Sequence, residues 1–165
     1  IGNSMYEEMF VDSAKKIIEK AKSLNTKLIL PTDVRVSSDI TQELNSRVVK
    51  LNHIGVDDVI LDFGPETMRI ISKEVNKANK ILWNGPLGVF EKDAFSYGTR
   101  RLAELIKDAP GYTIAGGGDT IAAINKFIDV DMLDYVSTGG GAFMEFFEKN
   151  GNIPAIEALN PEFYA

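Results

Sequence analysis

Apolar positions recur at two periods along the chain, and the change from one to the other marks its organisation. Between residues 12 and 23, Ala14, Ile17, Ile18 and Ala21 fall at i, i+3, i+4 and i+7 with Lys and Glu opposite, which predicts an amphipathic helix. Residues 27–30, Lys-Leu-Ile-Leu, read as a short buried strand stopped by Pro31. Residues 32–52 are polar and rich in Ser and Asp, which predicts an excursion of loop, short strand and a turn of helix. From Val56 short apolar runs alternate with turn residues and helical stretches. Strands are predicted at 59–62, 81–83, 112–115 and 135–137. Helices follow at about 66–78, 95–107 and 119–127, with a last one whose apolar face is Phe143, Phe146 and Phe147. That rhythm predicts an α/β fold, a parallel βα Rossmann-like sheet with helices on both faces. The tail after Asn150 holds two Pro and reads as irregular, and no linker divides the chain.

At 165 residues the chain has the length of one domain, and 44% hydrophobic with 25% charged residues suits a packed core. Eighteen Lys and Arg against 24 Asp and Glu leave a net charge of −6, the wrong sign for neutralising a phosphate backbone, so no nucleic-acid partner is expected. With no Cys, disulfides and thiol nucleophiles are excluded, and His53 alone cannot build a two-His metal motif. No apolar run approaches the roughly 18 residues of a membrane span, which makes a cytoplasmic protein the expectation. The chain opens at Ile1 without an initiator Met, as a piece of something longer would.

The last two strands each run into three glycines, Gly116-Gly117-Gly118 and Gly139-Gly140-Gly141, and then into a helix. One such triplet is ordinary where a strand turns sharply; two in consecutive units point to a shared ligand. Glycine lets the backbone approach a bulky anion, and the unpaired N–H groups and dipole of the following helix attract it. In a parallel sheet these turns lie on one edge, where ligands bind. The pair therefore predicts a phosphate cradle that needs no Lys or Arg. No Gly-Lys-Ser/Thr makes it a Walker A loop, and Ile121 stands where a dinucleotide fingerprint needs a third small residue. Asp119 follows the first triplet, either as a helix cap or as the carboxylate that holds Mg²⁺ beside a nucleotide's phosphates, with Thr120 adding a hydroxyl and an N–H.

Residues 83–91, Trp-Asn-Gly-Pro-Leu-Gly-Val-Phe-Glu, mix Trp, Gly and Pro with apolar residues where a solvent loop would be polar. Their apolar side chains could flank a planar base or cover the core. Glu91 could accept both hydroxyls of a ribose or stand in solvent.

Taken together these residues closely resemble the phosphoglycerate kinase family in its C-terminal, nucleotide-binding half. The resemblance runs through Ile1-Gly2, Ser4 and Glu7, Leu30-Pro31 with Asp33-Val34, Asp62 through Gly64-Pro65, Trp83 through Glu91, Gly116 through Thr120, and Ser137 through Ala142. It implies reversible phosphoryl transfer from 1,3-bisphosphoglycerate to Mg-ADP, giving 3-phosphoglycerate and ATP in glycolysis. On this chain Glu91 would hold the ribose, Asn84 and Pro86 would lie along the nucleotide, and Ile60 would stand on the adenine side. Gly117, Gly118, Asp119 and Thr120 would meet the phosphates, with Asp119 towards the Mg²⁺. The N–H groups of Gly140 and Gly141 would face the phosphoryl group in flight, so catalysis would rest on Gly117, Gly118, Gly140 and Gly141. Residues 1–165 would be a partial C-terminal domain of an enzyme expected to be monomeric. The family's Gly-Gly-Ala-Lys-Val turn and its N-terminal phosphoglycerate-binding domain are absent from the chain. Lys149-Asn150-Gly151-Asn152 replaces the usual small residue and Gly, and Phe63 stands where an aliphatic residue or Cys is common. Alone, the 165 residues would then be an inactive nucleotide-binding or structural fragment.

Overall fold

Val34 and Val36 alternate with Arg35 in the first strand of the computed structural model, which describes residues 1–159. This strand, β1 (Asp33–Ser37), pairs antiparallel with β2 (Arg47–Lys50) on one side and β3 (Val59–Phe63) on the other. Both valines are fully buried, so alternation within an otherwise polar excursion was a genuine strand signal. The strand at 59–63 is where the sequence places it, but its sheet is antiparallel and separate from the parallel one. The helix α1 (Val11–Ser23) precedes β1, and Ile17 on it remains 60% exposed.

Residues 27–30 do not form the expected strand. Leu28 and Leu30 are about half exposed, at 46% and 56%. Among the described residues no strand pairs with this stretch, and apolar sequence without a ladder partner cannot hold strand hydrogen bonds.

After β3 the chain enters α2 (Pro65–Val75) with Pro at its first position, where the missing N–H costs nothing. Its free N–H groups are capped from β1: the Asp33 carboxylate accepts from Glu66 N–H at 3.0 Å and from Thr67 N–H at 2.7 Å. Burial works against that charge, but the Thr67 hydroxyl and the two N–H groups hold the Asp33 carboxyl below the usual aspartate range.

The second sheet is the expected parallel one, in the order β4 (Lys80–Trp83), β5 (Tyr112–Gly116), β6 (Tyr135–Ser137). Helices α3 (Tyr97–Lys107), α4 (Gly118–Phe127) and α5 (Gly141–Glu148) alternate with these strands. A four-residue helix, α6 (Pro154–Glu157), interrupts the tail expected to be irregular; Pro161 lies outside the described residues. Of the expected aromatic face on α5, Phe143 is buried while Phe146 and Phe147 are about 40–45% exposed.

Two compact units result, each discontinuous in sequence. Ile1–Glu74 with Leu87–Thr99 holds the antiparallel sheet, and Val75–Pro86 with Arg100 onward holds the parallel one. In the first unit Val34, Val36, Leu61, Met68, Phe90 and Phe95 are buried; in the second, Trp83, Ile106, Ala115, Ile124 and Phe143 are.

Candidate functional site

In the second unit the pairing register decides which loops share an edge. Trp83 lies opposite Ala115, and Gly116 opposite Ser137, so the carboxyl ends of all three parallel strands are aligned. The segment Asn84–Pro86 and both glycine triplets leave the sheet from that edge.

The two triplets serve their helices in the same way, with the middle glycine as the helix cap. Gly117 caps α4 at φ +100°, ψ 142°, and Gly140 caps α5 at φ +52°, ψ −124°. Gly117 has a second constraint besides its left-handed φ, since a Cβ there would lie 2.8 Å from the Asn84 side-chain oxygen. The first helical bond of α4 runs from Ile121 N–H to Gly117 C=O at 3.0 Å, which leaves the N–H groups of Gly118, Asp119 and Thr120 ahead of the ladder. In the α5 turn the Ala142 and Phe143 N–H groups donate to the carbonyls of Gly139 and Gly140, so the Gly140 and Gly141 N–H groups occupy the matching position. Apart from the adjoining residues and the helix's own backbone, nothing lies within 4 Å of where a Cβ would stand on Gly118, Gly140 or Gly141. These backbones face open space.

Gly116, the first of its triplet, has another task. It is the last residue of β5, and a Cβ there would stand 2.2 Å from the edge of the Phe143 ring. Its bareness lets α5 lie close to the sheet.

Asp119 is the second residue of α4 and exposed, and the α4 cap accepts no side-chain hydrogen bond. The cap position itself is Gly117, and Asp119 stands in the first turn, where a carboxylate suits the helix dipole as well as a cation. An exposed carboxylate at a helix start beside open backbone fits a hard cation that takes one protein carboxylate and completes its shell from phosphates and water. Among the described residues no group of three His, Cys, Asp or Glu side chains could hold a metal by itself.

Thr120 is 1% exposed, and its hydroxyl oxygen accepts the Gly85 N–H at 2.7 Å. The hydroxyl thus ties the segment after β4 to α4, a function the sequence does not display. Trp83, also buried, donates its indole N–H to Gly85 C=O at 2.9 Å, so Gly85 is fixed on both sides.

Ile60 and Glu91 belong to the first unit. Ile60 lines a cavity of about 670 Å³ together with Ser4, Tyr6, Ile40, Leu61 and Val89, a size ordinary for small-molecule pockets. The family resemblance implies the adenine side for Ile60; Ile40, which lines the same cavity, sits in the polar excursion with no pattern to mark it. The apolar residues of the Trp83–Glu91 loop divide: Phe90 is buried in the core, whereas Val89 lines the cavity. Glu91 is exposed, and so is His53 on a short turn after β2.

One buried carboxylate was unforeseen. Asp62, 1% exposed on β3, accepts the N–H of Gly98 at 2.9 Å and of Phe63 at 2.8 Å. Burial pushes its carboxyl up to about 6, against the pull of those N–H groups and of Arg35, its cross-strand neighbour.

Comparison with known proteins adds an independent line. The family profile described as phosphoglycerate kinase matches residues 1–150. Phosphoglycerate kinases of Francisella tularensis subsp. holarctica and Francisella philomiragia are each 46% identical over 159 residues, 96% of this chain. The structure of phosphoglycerate kinase from Coxiella burnetii superposes with a TM-score of 0.91 at 43% identity over 97% of the chain. That of the Pyrococcus horikoshii enzyme gives 0.75 at 29% identity over 92%. The chain spans about 40% of the length of the curated relatives it matches.

Proposed function

From the premise that the chain belongs to the phosphoglycerate kinase family, we propose that it is the nucleotide-binding part of an enzyme transferring a phosphoryl group reversibly between 1,3-bisphosphoglycerate and Mg-ADP. The product pair is 3-phosphoglycerate and ATP, in cytoplasmic glycolysis. The observation that carries this reading is the repeated Gly-capped helix start on adjacent parallel strands, with bare backbone facing open space at Gly118, Gly140 and Gly141.

Phosphoryl transfer asks for alignment and charge stabilisation more than for an acid or base, and fixed N–H groups supply both. The N–H groups of Gly118, Asp119 and Thr120 receive the nucleotide's phosphates, with Gly117 turning the chain into the helix. Those of Gly140 and Gly141 stabilise charge on the phosphoryl group as it moves. Asn84 and Pro86 border the nucleotide, and Gly85 is held in place by Thr120. Asp119 would hold the Mg²⁺, which when bound screens charge between the phosphates. By the family resemblance Glu91 would hold the ribose and Ile60 would stand on the adenine side. Phosphoglycerate is bound by the domain that the relatives carry beyond this stretch.

Substitution at Asp119 tests the reading. Asp119→Asn in the full-length protein is expected to raise the Mg²⁺ concentration needed for half-maximal turnover at least about tenfold while lowering stability by no more than about 1 kcal/mol, the share of a first-turn carboxylate in the helix dipole. An unchanged Mg²⁺ response would overturn the assignment.

A further inference from the structure

The segment that carries Glu91, Leu87 to Thr99, is fastened to β3 by a set of contacts that converge on Asp62. Val89 N–H donates to Leu61 C=O at 2.9 Å, and Gly98 N–H donates to Asp62 Oδ2 at 2.9 Å. The segment's two ends are also closed on each other. Thr99 Oγ1 accepts Leu87 N–H at 3.0 Å and donates to Leu87 C=O.

Two glycines show how closely this backbone lies against the carboxylate. A Cβ on Gly88 or on Gly98 would stand 2.5 Å from the same oxygen, Asp62 Oδ1. The segment thus meets Asp62 from two sides with no side chain between, and at Gly88 the φ of +65° reinforces the need for glycine. A carboxylate is the fitting group because it accepts on both oxygens, where an amide would turn a donor towards one of the N–H groups. Burying a charge is unfavourable, and Arg35, opposite Asp62 on β1, is the charged group that faces it.

We propose that Asp62 is a positioning residue for nucleotide binding: its buried carboxylate clamps the Leu87–Thr99 segment and so sets the place of Glu91. This rests on the reading of Glu91 as the ribose acceptor. Asp62 itself is too buried to touch the nucleotide.

The test uses the full-length protein, with Asp62→Asn, which offers one acceptor in place of two, and Gly98→Ala, which drives a methyl against Oδ1. Both are expected to raise KM for Mg-ADP about tenfold while kcat at saturating nucleotide stays within about threefold, the pattern of lost binding rather than lost chemistry. Amide exchange at Val89 and Gly98 is expected to quicken by at least about tenfold. Exchange that stays at the wild-type rate in a folded variant overturns the clamp. Quickened exchange with KM unchanged overturns the positioning role, provided that Glu91→Gln does raise KM. If Glu91→Gln leaves KM unchanged as well, the ribose reading falls and exchange alone decides whether the clamp stands.

Discussion

Asp62→Asn should reverse part of the chain's pH dependence of stability, with a sign opposite to that usual for an aspartate. A few carboxylates in this fold are held below their ordinary range. Asp33 is one, and Asp134 is another, held down by the N–H and hydroxyl of Thr113. Groups of that kind contribute stability above the unfolded pKa and lose it as pH falls. Asp62 does the opposite. Its carboxyl lies at about 6 in the folded chain against an ordinary 3.8, so the folded state binds the extra proton between those values. Its contribution is fully present below pH 3.8 and is lost as pH rises through 6. The interval, converted at about 1.4 kcal/mol per pH unit, amounts to a loss of about 3 kcal/mol from this one group. Asp62 is 1% exposed, so solvent screening reduces that figure little. Asparagine has nearly the same shape and no charge, and it removes the dependence while giving up about 1 kcal/mol for the acceptor it lacks. Urea unfolding of wild type and variant at pH 4, 5, 6 and 7, followed by circular dichroism, isolates the difference because Asp33 and Asp134 contribute equally to both. The wild type should lose about 2 kcal/mol relative to the variant between pH 4 and 7, since at pH 4 the unfolded carboxyl is already more than half ionised. Parallel stability curves would refute the reasoning and place Asp62 in contact with water.

Two further outcomes follow from close packing in the second unit. Gly116→Ala should destabilise the chain by about 1–3 kcal/mol, because the methyl and the Phe143 ring compete for one space, and Phe143→Leu should recover part of that loss in a double-mutant cycle by thermal melting. Additive effects would show that the two do not meet. Thr120→Val keeps the shape but removes the acceptor for Gly85 N–H, so it should cost ~1 kcal/mol and speed amide exchange at Gly85, with Thr120→Ser close to wild type. Equal exchange in the Val and Ser variants would detach Thr120 from the loop.

The sequence by itself determined what is local. The 3.6-residue period of α1, the strand–glycine–helix rhythm of β5 with α4 and β6 with α5, and the Trp83–Glu91 run are each written in a few neighbouring residues. Those residues sufficed to place both glycine triplets at the carboxyl edge of one parallel sheet. Tertiary structure decided what depends on partners distant in the chain. Val34 and Val36 form a strand because residues 47–50 and 59–63 pair with it, whereas the equally apolar Leu28 and Leu30 find no ladder among the described residues and are about half exposed. Ile40 reaches the cavity from a stretch without pattern, and Gly116 makes room for the Phe143 ring. Thr120 meets Gly85 from 35 residues away, and Asp62 meets Gly98 from 36. Periodicity records which face of an element is apolar; it does not record which distant backbone N–H a buried oxygen will accept. Only the folded chain brings donor and acceptor within 3 Å, and there desolvation turns an unremarkable Asp into a carboxyl that titrates near pH 6.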